Sequence, residues 1–259
     1  MIRRFVLVTS AALALTASLL AQAPASPRAL SPIDLTGNWV SIVTEDWRFR
    51  MVTPPKGDYA SVPLNAAARA IADKWDPAKD EADGNACKSY GAANIMRTPG
   101  RLHISWQDDT TLKIETDAGQ QTRLLHFTGT PSGEPSWQGY SQATWELAGG
   151  NVPGGRGGGR GGPGGPGGGA PPPPRGGSLK VVTTRLKEGY LRKNGIPVSE
   201  NATVTEYFDR HSETDGSEWF TVTTIVDDSK YLAQNFITST HFKKEPDASK
   251  WFPTPCKAK

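Results

Sequence analysis

The sequence predicts a mainly β fold: one antiparallel barrel of about eight strands, with one helix-containing insertion. Three observations carry this. Short runs rich in Val, Ile, Thr and aromatics follow one another closely, and only one stretch shows clear helical periodicity. The runs are separated by brief polar segments such as QDDT, DAGQ, SETDGS and DDSK, which read as hairpin turns. Strands joined this way pair antiparallel, and so many in sequence hide their edges by closing.

Residues 1–25 have the grammar of a signal peptide. Arg3 and Arg4 precede the mostly apolar run Phe5–Leu20, and small residues follow at Ala21, Ala23 and Ala25. The run is 16 residues long and holds Thr9, Ser10, Thr16 and Ser18, which makes it short for a bilayer span. The expected location is therefore periplasmic or secreted, with no membrane span.

The rest, residues 26–259, reads as a single barrel domain. DLTGNWVSIV (Asp34–Val43) is the first strand. Pro63 then opens a helix, with Leu64, Ala67, Ala68, Ile71 and Trp75 on one face. It stops before Asp76-Pro77, and the following KWDPAKDEADGNACKSYG reads as a polar loop. RLHISW, TLKIET, QTRLLHF, SWQGYSQATWEL, SLKVVTTRL, TVTEYFDRH, EWFTVTTIV and YLAQNFITSTHF supply the later strands.

Between SQATWEL and SLKVVTTRL lies a tract at 149–177, in which Gly and Pro supply 23 of 29 residues. Such a composition cannot bury apolar surface. Both flanks are strand-like, so the tract is expected to be a disordered hairpin loop within one domain. The formal charge of +3 misleads: without Arg3 and Arg4 the chain holds 27 basic and 26 acidic residues. Setting aside Arg156, Arg160 and Arg175 of the tract leaves 24 against 26. No basic face for nucleic acid is evident, and a monomer is expected. Cys87 and Cys256 are the only cysteines, and an even pair in an exported chain predicts a disulfide.

Some stretches carry a resemblance. Asp34-Leu35-Thr36-Gly37-Asn38-Trp39 resembles the G-x-W opening of lipocalin-type barrels, in which the Trp closes one end. PSWQGYSQATWE, LKVVTTRLKEGYLRKNGIPVSENATVTEYFDRH and TVTTIVDDSKYLAQNFITSTHFKKEPDASKWFPTPC are similar to a group of uncharacterised exported bacterial proteins with a lipocalin-like β-barrel. The resemblance implies fold and export and carries no activity. The segment Arg48–Gly100 departs from the lipocalin pattern, and a lid or plug at the barrel mouth is expected from it.

Chemistry is sparse. H-E-x-x-H, C-x-x-C and the P-loop motif are absent from the sequence, and no cofactor is implied. Gly139-Tyr140-Ser141-Gln142-Ala143 nearly matches a nucleophile elbow, but TWEL after it continues a strand where that motif needs a helix. His103, His126 and His241 fall in strands on mismatched faces, so no metal site is expected. In TVTEYFDR, Glu206 shares a face with Val204 and Phe208. A carboxylate so placed has a raised pKa or a buried partner such as Arg123. It reads as a structural ion pair, a ligand anchor or a general acid.

Tyr190 and Arg192, beside the turn signal Asn194-Gly195, are placed at a barrel mouth where they meet an anionic ligand or form a rim loop. The leading expectation is a barrel that binds a small apolar or aromatic molecule through Trp39, Trp106, Arg123, Tyr190, Arg192 and Glu206. One alternative is a non-metal hydrolase, isomerase or dehydratase with Glu206, His103 or His241 as catalytic groups. The other is a structural or cell-envelope interaction protein.

Overall fold

The computed structural model of the protein describes residues 24–148 and 176–259. Nearly all of the expected signal peptide, and the tract up to residue 175, lie outside the described residues. Among these residues are eleven strands: β1 (Gly37–Ile42), β2 (Arg101–Trp106), β3 (Thr111–Thr116), β4 (Thr122–His126), β5 (Tyr140–Leu147), β6 (Gly177–Thr184), β7 (Gly189–Arg192), β8 (Ile196–Val198), β9 (Thr203–Ser212), β10 (Glu218–Asp227) and β11 (Phe236–Glu245). Nine of them close a barrel in the order β1-β11-β10-β9-β6-β5-β4-β3-β2, while β7 and β8 form a separate hairpin.

The expected count of about eight strands is close to the nine found, and the expectation of a wholly antiparallel wall is corrected at one pair. The wall has nine strands, and β4 and β5 run parallel through Leu125↔Ser141 and His126↔Gln142. The cause is the connection between them, because parallel neighbours need a crossover rather than a tight turn. Residues 127–139 make that crossover, running from Phe127, packed on Trp106 and Trp145, to the opposite barrel end, where Ser136 bridges Leu186 and the Trp137 carbonyl accepts from the Ala92 N–H at 2.9 Å.

Along each strand, side chains alternate between the interior and solvent. The interior is layered. Trp39, Ile104, Leu112, Phe208, Phe220 and Phe242 belong to one apolar cluster. Val204, Val226 and Phe236 belong to a second. Between the two, the same strands carry Glu206 on β9, Thr224 on β10, and Thr238 and Thr240 on β11, all buried. A polar belt thus separates two apolar layers.

The insertion between β1 and β2 plugs the end formed by the second cluster. It holds α1 (Trp47–Arg50), α2 (Ala66–Ala72), α3 (Pro77–Ala82) and two 3-10 segments, Ala86–Tyr90 and Ile95–Arg97. Ile95 and Met96 reach the first cluster, so this segment descends into the barrel. The helix expected from Pro63 to Trp75 is shorter, because Leu64 is taken by a bridge to Leu232 and Asn65 is the N-cap, accepting from the Ala68 N–H.

The polar loop expected after Trp75 is instead helical in part. The Asp76 side chain accepts from the Ala78 and Lys79 N–H groups, and Pro77 sits in the first turn. Asp-Pro is thus a helix start here as well as a stop.

β5 and β6 pair antiparallel from Tyr140↔Thr184 to Leu147↔Gly177, and the Ala148 N–H donates to the Gly176 carbonyl at 3.2 Å. The two flanks of the tract are therefore neighbours in one barrel. Cys87 and Cys256 are joined in a disulfide, as expected, which fastens the C-terminal strap to the plug. Among the described residues no helix is long and apolar enough to cross a membrane.

Candidate functional site

The first polar group in the interior is the belt. Arg123 on β4 and Glu206 on β9 are both fully buried and meet in two hydrogen bonds, Nη1–H to Oε1 at 3.1 Å and Nη2–H to Oε2 at 2.6 Å. Nη2 also lies 3.4 Å from Ser141 Oγ and 3.3 Å from Thr183 Oγ1, and these hydroxyls are 2.8 Å apart. Both carboxylate oxygens of Glu206 are occupied by one guanidinium. Ser141 lies within β5, which continues to Leu147, so no nucleophile elbow forms.

The histidines named with Glu206 stand on the other side of the wall. His103 Nδ1 faces Asn38 Oδ1 at 3.0 Å, and His241 Nδ1 faces Thr221 Oγ1 at 3.0 Å. Their strand neighbours Leu102, Ile104, Thr240 and Phe242 take the interior positions. Among the described residues, no three His, Cys, Asp or Glu side chains are grouped to hold a metal ion.

The aromatic candidates are packing groups. Trp39 meets Phe220 edge-on at 4.7 Å and donates its indole N–H to the Leu35 carbonyl at 2.9 Å. Trp106 lies 5.5 Å from Phe127 and 6.5 Å from Trp145, in the layer closed by the N-terminal segment.

The second polar group lies at the plugged mouth, and it is built by three arginines. Asp46 is left-handed, with φ 49°, a conformation that Asp tolerates. It turns the chain from β1 into α1, so that Glu45 meets Arg50 and Asp46 Oδ2 accepts from Arg97 Nη2 at 3.1 Å. Arg50 is fully engaged: Nε donates to the Arg97 carbonyl at 2.9 Å and Nη2 to Ser41 Oγ at 2.9 Å. Arg192, at the end of β7, has no carboxylate in contact among the described residues. Its Nη1 donates to the Ala60 carbonyl at 2.7 Å, and its guanidinium lies 4.2 Å from the Phe49 ring centroid and 5.9 Å from that of Phe236.

Arg97 and Arg192 are only 3% and 2% exposed, yet Nε and Nη1 of Arg97 and Nε and Nη2 of Arg192 have no protein acceptor. All three arginines line a cavity of about 90 Å³ that also touches Asn94, Thr98 and Lys193. Burial, and then the neighbouring charge of Arg97, pull the Arg192 guanidinium down to about 10. Burial lowers Arg97 and Arg50 as well. Within the cavity wall lie four cations, with Glu45 and Asp46 as the carboxylates bound to them. Unsatisfied buried N–H donors beside surplus positive charge suit an oxyanion.

Tyr190 does not join this site. A register irregularity separates it from Arg192, and its hydroxyl donates to Asp80 Oδ2 at 2.7 Å, where burial and that carboxylate raise its pKa. The surrounding KNGIPVS stretch is not a solvated rim loop. Arg192, Asn194 and Ser199 are buried, and Gly195, at φ +81°, sits so close to Trp75 that an added Cβ would fall 2.2 Å from the Trp75 Cβ.

No family model, curated protein or solved structure matches the chain. Arg192 stands out in the sequence, whereas Arg50 and Arg97 do not. The available signals were the charged cluster EDWRFR shortly after a strand and an arginine directly after the apolar pair Ile95-Met96. Neither says that the two meet.

Proposed function

We propose that this is an exported, lipocalin-like barrel that binds a small acidic molecule at its plugged mouth rather than an apolar one inside the wall. One observation carries the reading: Arg97 and Arg192 are almost wholly buried beside a cavity, with four guanidinium nitrogens lacking an acceptor. An unpaired buried donor costs about 1–3 kcal/mol, and more for a charged group, so an anion that fills these positions gains that much on binding. The packing of Trp39 and Trp106 against other aromatic rings supports placing the ligand outside the barrel's central layers.

Inorganic sulfate and acetate, titrated by calorimetry against a chloride background of equal ionic strength, test the reading. Saturable heat is expected for the native protein, weakened about tenfold or more in Arg192→Met, which keeps the side chain's bulk but not its donors. Heat that is absent, or equal in the two proteins, rejects it.

A further inference from the structure

We infer that the ligand of the arginine site is an amphiphilic monoanion: a carboxylate or sulfate head carrying an unbranched apolar chain. This rests on the anion-binding reading above and adds a substrate class to it. The cavity sets the first limit. At about 90 Å³ it holds a head group, whereas pockets that enclose whole drug-sized ligands run to roughly 300 Å³ or more. Whatever is attached to the head must leave the cavity along its rim.

One side of the rim is apolar and open. Met51 and Val52 line the cavity and are 60% and 67% exposed. Trp47, one helical turn earlier on α1, is 65% exposed, and the Met51 N–H donates to its carbonyl at 2.9 Å. Among the described residues, seven large hydrophobics are exposed, and three of them fall within these six positions. Scattered exposure is ordinary; a cluster bordering a charged cavity marks a contact surface.

Charge sets the second limit. Arg50 and Arg97 each hold a carboxylate already, from Glu45 and Asp46, and Lys193 Nζ donates to the Tyr90 hydroxyl at 2.8 Å. Among the described residues Arg192 is the arginine of this wall with no carboxylate in contact, so one negative charge pairs the last of the three arginines. The Phe49 ring, with its centroid 4.2 Å from the Arg192 guanidinium carbon, covers one side of that group.

The test uses the full chain and a chain-length series of acetate, hexanoate and decanoate, with decanol as the uncharged control. Affinity is expected to rise about fourfold for each methylene that the rim covers. In the double variant Met51→Ser, Val52→Ser the chain-length dependence is expected to flatten, and an unchanged dependence overturns the inference; both residues are exposed, so folding is not at risk. If acetate binds as tightly as decanoate, the amphiphile inference falls and the anion reading stands. If decanol binds as tightly as decanoate, the charged head is not what is recognised, and the inference falls. Binding of none of these sinks both. Binding only to anionic phospholipid vesicles, with no uptake of monomeric decanoate, overturns the inference in favour of a membrane surface.

Discussion

Arg123 and Glu206, 83 residues apart in sequence, face each other across the barrel interior with both guanidinium amino groups on both carboxylate oxygens. Neither side chain touches solvent. Removing one partner of such a pair leaves a bare charge in an apolar interior. Glu206→Ala is expected to cost about 3–5 kcal/mol in chemical denaturation, and the double change Arg123→Met, Glu206→Leu much less than the two single losses added together. Additive losses would show that the two charges are not coupled.

The Cys87–Cys256 bridge closes a loop of 169 residues. Loop-closure entropy gives such a crosslink a contribution of up to about 5 kcal/mol. Reduction, or the paired change to Ser, is expected to lower the melting temperature while leaving the far-ultraviolet circular dichroism at low temperature unchanged. An unaltered melting temperature would contradict this.

β5 and β6 hold their register up to Leu147↔Gly177 on either side of the Gly/Pro tract. Replacing residues 150–175 by a short turn such as Asn-Gly is expected to leave the melting temperature within a few degrees, since each doubling of loop length costs only about 0.6 kcal/mol. Loss of folding on this deletion would mean that the tract contributes contacts of its own.

Protonation of Arg192 gives the anion site a pH signature. Burial and the charge of Arg97 pull the Arg192 guanidinium from the ordinary arginine range down to about 10, so its charge is lost as pH rises through that point. Sulfate affinity is expected to be flat from about pH 6 to about pH 9 and to fall as pH rises through 10, with proton uptake on binding in that window. Stability moves the other way. Between about 10 and the ordinary arginine range the unfolded chain binds the extra proton, so for Arg192 alone rising pH favours the fold. Affinity that stays level through pH 11 would exclude Arg192 as the group that holds the anion.

Alternation made most of the wall legible. Val204, Glu206 and Phe208 share the inner face as their spacing requires, and the apolar company of Glu206 pointed to a buried partner. The parallel β4–β5 contact was not legible, because periodicity describes one strand and says nothing of which neighbour it finds. Nor was the arginine site. Arg50, Arg97 and Arg192 come from a one-turn helix, a 3-10 segment and a bulged hairpin, and no local pattern spans such distances. The short β7–β8 hairpin read as a polar rim because its charged residues are buried by the plug, which is a tertiary effect.

The number of strands has a consequence for the wall itself. In a closed ring of purely antiparallel strands the direction alternates, so the count must be even. Nine strands force one mismatch, and it falls at β4–β5, whose ladder pairs two residues against eight for β5–β6. This seam is the thinnest stitching in the barrel. Arg123 leaves β4 beside it, reaches Ser141 on β5 directly across it, and anchors on Thr183 and Glu206 beyond. The buried ion pair is thus an internal cross-brace at the place where parity makes the wall weakest.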